Sequence, residues 1–163
     1  MDRGRALALL DDPETQAEGL DWLQGRASAL PDSVRAAFDL AGAYDTLGRE
    51  AEAAATYERV LRLGLETLSE ADQARWHVQY GSTLRRIGRL EESRAVLANG
   101  VMLFPQDAAL PVFLAFTELA AGRPDAAMAA LLNGAAAADP FGSRVYYRRA
   151  IAAYAADLAP PAD

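Results

Sequence analysis

Three stretches share one layout: YDTLGREAEAAATYERVL (residues 44–61), LRRIGRLEESRAVLANGV (residues 84–101) and ELAAGRPDAAMAALLNGA (residues 118–135). In each, an apolar residue precedes a Gly-Arg pair. An acidic residue lies two or three positions after the Gly, and then comes a small-large-small series. The pairs are Gly48-Arg49, Gly88-Arg89 and Gly122-Arg123; the last two lie 34 residues apart and the first two 40. Glycine takes the left-handed conformation that closes a helix, so each pair marks one helix ending and another beginning. Pro124 suits the first turn of such a new helix. The unit is therefore a pair of antiparallel helices. One pair cannot bury its apolar face alone, but stacked pairs can.

The rest of the chain fits this plan. Apolar residues recur three and four apart, alternating strand patterns are absent, and Gly and Pro fall between the periodic segments. The extra residues between the first two pairs map to Leu68–Asp72. There Ser69 and Asp72 resemble a capping box, which predicts a helix starting near Glu70 and running longer than its counterparts. Asp12-Pro13-Glu14 reads as a further helix start, with that helix ending near Leu30. Its Gly19, Leu23 and Ala27 repeat the small-large-small spacing.

These residues resemble the tetratricopeptide repeat, whose 34-residue pattern is W-x₂-L-G-x₂-Y, A-x₃-F and a closing Pro. Ala37, Leu40, Ala41, Tyr44, Ala53, Tyr57 and Val60 fill the slots of the first unit. His77, Tyr80, Gly81, Leu84, Ser93, Leu97, Gly100 and Pro105 fill those of the second. Pro111, Leu114, Ala115, Ala127, Leu131 and Gly134 fill those of the third. There Glu118 replaces the usual Tyr, and the closing Pro is displaced by one residue to Pro140. The chain is also similar to short bacterial tetratricopeptide proteins.

The resemblance implies an all-α fold, an α-solenoid wound as a right-handed superhelix. A single domain over 1–163 is expected, with degenerate leading helices at 1–31 and repeats at 32–67, 68–107 and 108–140. A closing helix at 141–158, carrying Tyr147, Ala150, Ile151 and Tyr154 on one face, and a tail at 159–163 complete it. The expected core holds Leu40, Tyr44, Tyr57, Tyr80, Leu84, Leu97, Leu114 and Leu131.

Composition narrows the function. The chain has 163 residues, 52% hydrophobic, with a net charge of −7. An acidic chain repels phosphate backbones, which argues against nucleic acid as a partner. There is no Cys, hence no thiolate nucleophile or thiolate metal site. No window reaches the ~20 apolar residues of a membrane span. A cytoplasmic protein is expected. Every basic residue is Arg, a property of a GC-rich genome or of a need for bidentate contacts to carboxylates.

His77 is the only His and occupies a core slot; a general base would need an oriented partner and a nearby nucleophile, and a metal site a second ligand. Glu50 with Glu52, and Glu91 with Glu92, lie in first helical turns, where acids favour the helix dipole. No phosphate-binding glycine motif is present. Neither catalytic residues, nor metal, nor cofactor is expected.

What remains is binding. In tetratricopeptide solenoids the first helix of each pair lines a concave groove. The faces left over by the core slots offer Phe38, Asp39, Gly42, Asp45 and Thr46 in the first unit. They offer Arg75, Val78, Gln79, Ser82, Arg85 and Arg86 in the second, and Val112, Phe113, Phe116 and Leu119 in the third. The candidate groove is therefore Phe38, Arg75, Gln79, Ser82, Arg85, Arg86, Phe113 and Phe116, suited to a peptide or protein segment with a carboxylate and an apolar anchor. The alternatives are that the closing helix covers Phe113 and Phe116, or that it joins two copies into a homodimer acting as a scaffold. The carboxylate clamp of chaperone-binding relatives needs a Lys that this chain lacks.

Overall fold

A computed structural model of the chain describes residues 1–138. The closing helix expected at 141–158 and the tail at 159–163 lie outside the described residues. The described residues form helices and turns, without a strand. Helix α1 spans Arg3–Ala8, and a 3-10 turn follows at Leu9–Asp11. Then come α2 (Gln16–Ala29), α3 (Val34–Thr46), α4 (Glu50–Gly64), a 3-10 turn at Leu65–Thr67 and α5 (Glu70–Arg86). The last three are α6 (Leu90–Leu103), α7 (Ala109–Ala120) and α8 (Pro124–Ala138). The chain divides into two compact units, Met1–Thr83 and Leu84–Asp163.

The three Gly-Arg pairs close their helices identically. Gly48, Gly88 and Gly122 have φ of 68°, 81° and 74°. After each, the Arg N–H donates to the carbonyl five residues back: Arg49 to Tyr44, Arg89 to Leu84 and Arg123 to Glu118, each at 2.9 Å. Each Gly N–H donates to the carbonyl three residues back, at 3.0 to 3.1 Å. This Schellman closure satisfies carbonyls that a helix end leaves open.

Helix starts follow the sequence with one correction. Ser33 Oγ caps α3 by accepting from Ala36 N–H at 3.2 Å. Ser69 caps α5, accepting from Asp72 N–H at 3.2 Å and donating to the Asp72 carboxylate at 2.8 Å. The helix expected at Asp12-Pro13-Glu14 begins only at Gln16. Asp12 Oδ1 accepts from Glu14 N–H at 2.9 Å, and Thr15 Oγ1 donates back to Leu9 O at 3.0 Å. The two side chains hold these residues in a turn that competes with helix.

In the first unit, Ala6, Leu10, Leu20, Leu23, Ala27, Ala36, Leu40 and Ala43 form one core, so α1 and the turn after it act as a shortened first helix paired with α2. Gly19 is needed there: a Cβ would lie 2.6 Å from the Ala6 carbonyl oxygen. An aromatic cluster continues the core, with Tyr57 6.4 Å from Phe38 and 5.8 Å from Tyr80 between ring centres. Trp76 packs on Tyr80 and donates to Tyr57 O at 3.2 Å.

In the second unit, Leu84, Leu97 and Leu110 are fully buried. Ser93 and Thr117, both at zero exposure, share a hydrogen bond of 2.9 Å. Gly134 lets α8 approach α7, since a Cβ there would lie 2.4 Å from Pro111 Cγ. Three expected core residues are less enclosed. Tyr44 and Leu114 are half-buried and Leu131 is 38% exposed, while Ala127 and Ala129 are the buried apolar side chains of α8.

Leu97→Ala should cost about 2–5 kcal/mol of unfolding free energy, since a fully enclosed side chain leaves a cavity. Met102→Ala, at a 77% exposed position, should stay within ~0.5 kcal/mol. Urea denaturation of both variants checks the assignment, and equal losses would contradict it.

Candidate ligand groove of the first unit

Three segments of the first unit line a cavity of about 160 Å³. Arg3 and Leu7 come from α1, and Leu10 and Asp11 from the turn after it. Phe38, Asp39, Gly42 and Thr46 come from α3, and Arg75 and Gln79 from α5. The α3 residues recur at spacings of one, three and four, which puts them on one helix face. Arg75 and Gln79 are one turn apart on α5. Leu7, Leu10 and Phe38 supply the apolar lining and the remainder is polar.

A buried carboxylate anchors these helices. The Asp39 side chain is 3% exposed and receives three arginines. Arg3 donates to it through Nε and Nη2 at 2.7 and 2.8 Å, a bidentate pair. Arg26 of α2 donates at 3.0 Å, and Arg35, one turn back on α3, stands 3.8 Å away. Arg35 also donates to Asp72 on α5. That contact holds the Asp72 carboxyl below the usual range, with Ser69 contributing. Arg3 is held above its ordinary value by its bond to Asp39.

Arg75 sits at the edge of this network, ion-paired with Asp72 at 3.6 Å. Its side chain is 60% exposed, and the contact with Asp72 is too long for a hydrogen bond, which leaves guanidinium donors open. The Gln79 side chain is half-buried and its amide has no partner among the described residues. The cavity therefore combines a mainly polar lining, a smaller apolar share from Leu7, Leu10 and Phe38, a carboxylate paired with arginines and a guanidinium with open donors.

Of the eight groove residues expected from sequence, Phe38, Arg75 and Gln79 meet in this cavity. Phe38 is largely buried, packed on Tyr57 with Arg35 over its ring, because the aromatic cluster needs it. Ser82 is buried and is not part of the lining. The other four belong to the second unit. Arg85 is half-buried and Arg86 exposed. Phe113 and Phe116 pack edge to face at 5.9 Å, with Phe116 47% exposed.

Arg3, Leu7, Leu10 and Asp11 were not anticipated. Arg3, Leu7 and Leu10 are spaced four and three apart, a helix-face signal, but the leading helix is too short to match the repeat pattern. The ionic role of Glu118 was equally hidden. It is buried and accepts from Arg94 at 2.9 Å and from Arg123, which also donates to Glu91 at 2.8 Å. An ion cluster thus replaces the usual tyrosine.

His77 is buried, with its Nδ1–H donating to Gln73 O at 2.8 Å and its ring edge-on to Trp76. Burial lowers its pKa, offset in part by that hydrogen bond. Among the described residues no cluster of His, Asp and Glu is placed to hold a metal ion. No described helix is long and apolar enough to cross a membrane.

With this geometry goes a family match. Residues 34–158 match the tetratricopeptide repeat, and the chain belongs to that family. No curated protein matches the chain. Tetratricopeptide repeats generally mediate protein–protein interaction, and the family is typically non-enzymatic.

Asp39→Asn should cost about 1–3 kcal/mol, the scale of lost charged hydrogen bonds to a buried carboxylate, measured by urea denaturation. No change would show that Asp39 is not an anchor. His77 gives a pH signature. The unfolded chain binds its proton near pH 6.5 and the folded chain at a lower pH, so the unfolded state holds more protons in between. Stability should be level with respect to this group above pH 6.5 and fall as pH drops below it. His77→Gln should remove that slope between about pH 5 and 6.5, above the range where Asp72 loses its ion pair.

Proposed function

We propose that the chain is a binding module without enzymatic activity of its own, and that the face shared by α1, α3 and α5 docks a peptide or protein segment. The observation that carries the reading is the cavity itself. It sits on the faces left over by the repeat's core slots, and its lining ends in the open donors of Arg75 and Gln79. Structural packing accounts for Asp39, Phe38 and Arg3, but leaves Arg75 with only a long ion pair to Asp72 and the Gln79 amide without a partner among the described residues. In the second unit we propose Phe113 and Phe116, with Arg85 and Arg86, as a separate contact region for the same class of partner. Self-association through 141–158 is the competing reading.

A Thr46→Trp/Arg75→Glu variant tests the first region, because both side chains are exposed and their replacement should leave folding intact. Affinity capture should retain partners on the wild-type chain and lose them on the variant, with circular dichroism and thermal midpoint unchanged. Equal capture by both would move the site elsewhere. A solution mass of two chains with nothing captured would favour self-association.

A further inference from the structure

Gly42 lies in the middle of α3, where glycine is unfavourable relative to alanine. Its usual justifications are missing. It is not among the glycines with positive φ, and a Cβ would meet only Gln79 Nε2, at 3.9 Å. Gly19 and Gly134 differ, since a Cβ at either would collide with a neighbouring segment. Gly42 lines the cavity, so a side chain there would occupy the space that the helices leave open.

The volume limits what could enter. About 160 Å³ is close to the ~150 Å³ of an engineered cavity that holds benzene, room for one leucine- or methionine-sized side chain. Leu7, Leu10 and Phe38 supply its apolar contacts. Charge sets the neighbour. Arg3 and Asp39 are committed to each other, while Arg75, ion-paired with Asp72 only at 3.6 Å, keeps open donors beside the Gln79 amide, which has no partner among the described residues. Asp11 lines the same cavity with no cation on it among the described residues. It disfavours a second acid, so the site matches one acidic residue and not an acidic tract.

We infer that this cavity seats a single aliphatic side chain of an extended partner segment over Gly42, with one adjoining acidic residue held by Arg75 and Gln79. The inference rests on the protein-binding reading above and names the chemistry of its partner.

The test is selection of ten-residue peptides from a random library on the full chain, followed by fluorescence anisotropy with the tightest binder. Selected peptides should share Leu, Met or Ile within two residues of one Asp or Glu. Replacing the aliphatic residue by Gly, or the acid by its amide, should weaken binding about tenfold. Gly42→Leu should abolish binding. Gly42→Ala should weaken it several-fold while raising the thermal midpoint, which separates a blocked site from a damaged fold. Arg75→Ser should erase the preference for the acid over its amide. Peptides that bind Gly42→Leu as tightly as wild type, or that share an aromatic or basic motif instead, overturn the inference and leave the protein-binding reading standing. A wild-type chain that selects no peptide overturns both.

Discussion

The left-handed glycine that closes a first helix is the constraint on which the helix pairs depend. Two backbone hydrogen bonds, from the Gly N–H and from the following Arg N–H, turn the chain back within a few residues at Gly48, Gly88 and Gly122. So short a reversal fixes the partner helix as antiparallel and sets which face of each helix meets the other. Small residues then decide how close the pair comes, as Gly134 does against Pro111 and Ser93 against Thr117. The faces not used in this packing are determined by subtraction. In the first unit they are the faces that carry Phe38, Gly42, Arg75 and Gln79.

Ion pairs hold two buried carboxylates, one in each unit. Asp39 and Glu118 are both buried, and both receive arginines from other segments. The guanidinium suits this role because it offers parallel donors in a fixed plane. Arg3 uses that fork on Asp39, and Arg49 and Arg89 use it on Glu52 and Glu92 at the starts of α4 and α6. The latter pairs are exposed and contribute little to stability. The buried ones matter more, since each carboxylate left unpaired would bear its full desolvation cost.

The sequence displayed what local chemistry dictates. Gly-Arg spacing located the helix ends, and Ser69 with Asp72 located the start of α5 at Glu70. The buried positions of Leu40, Tyr57, Tyr80, Leu84 and Leu97 followed from repeat register. Two kinds of feature stayed hidden. One depends on side chains competing with helix, as at Asp12 and Thr15, where the same residues that cap a helix can instead hold a turn. The other depends on segments far apart in sequence. Arg3 and Asp39 are 36 residues apart and lie outside any shared motif, so only the packed helices bring them together. Phe38, Arg75 and Gln79 could be grouped from the sequence and do line one cavity, but the wall supplied by α1 was not legible, because a six-residue helix is too short to show the repeat.

Gly42 shows where stability and openness part. A helix interior gains from alanine, and α3 has room for the methyl group, so packing alone would replace this glycine. The cluster around Tyr57 pulls the other way in the same helix. It buries Phe38 deeply enough that only part of the ring is left to line the cavity. The first unit thus fills α3 tightly on the side facing α4 and leaves it bare on the side facing Arg75 and Gln79. The proposed docking of another chain would use both features, the space beside Gly42 for a side chain and the open donors of Arg75 for the charge next to it.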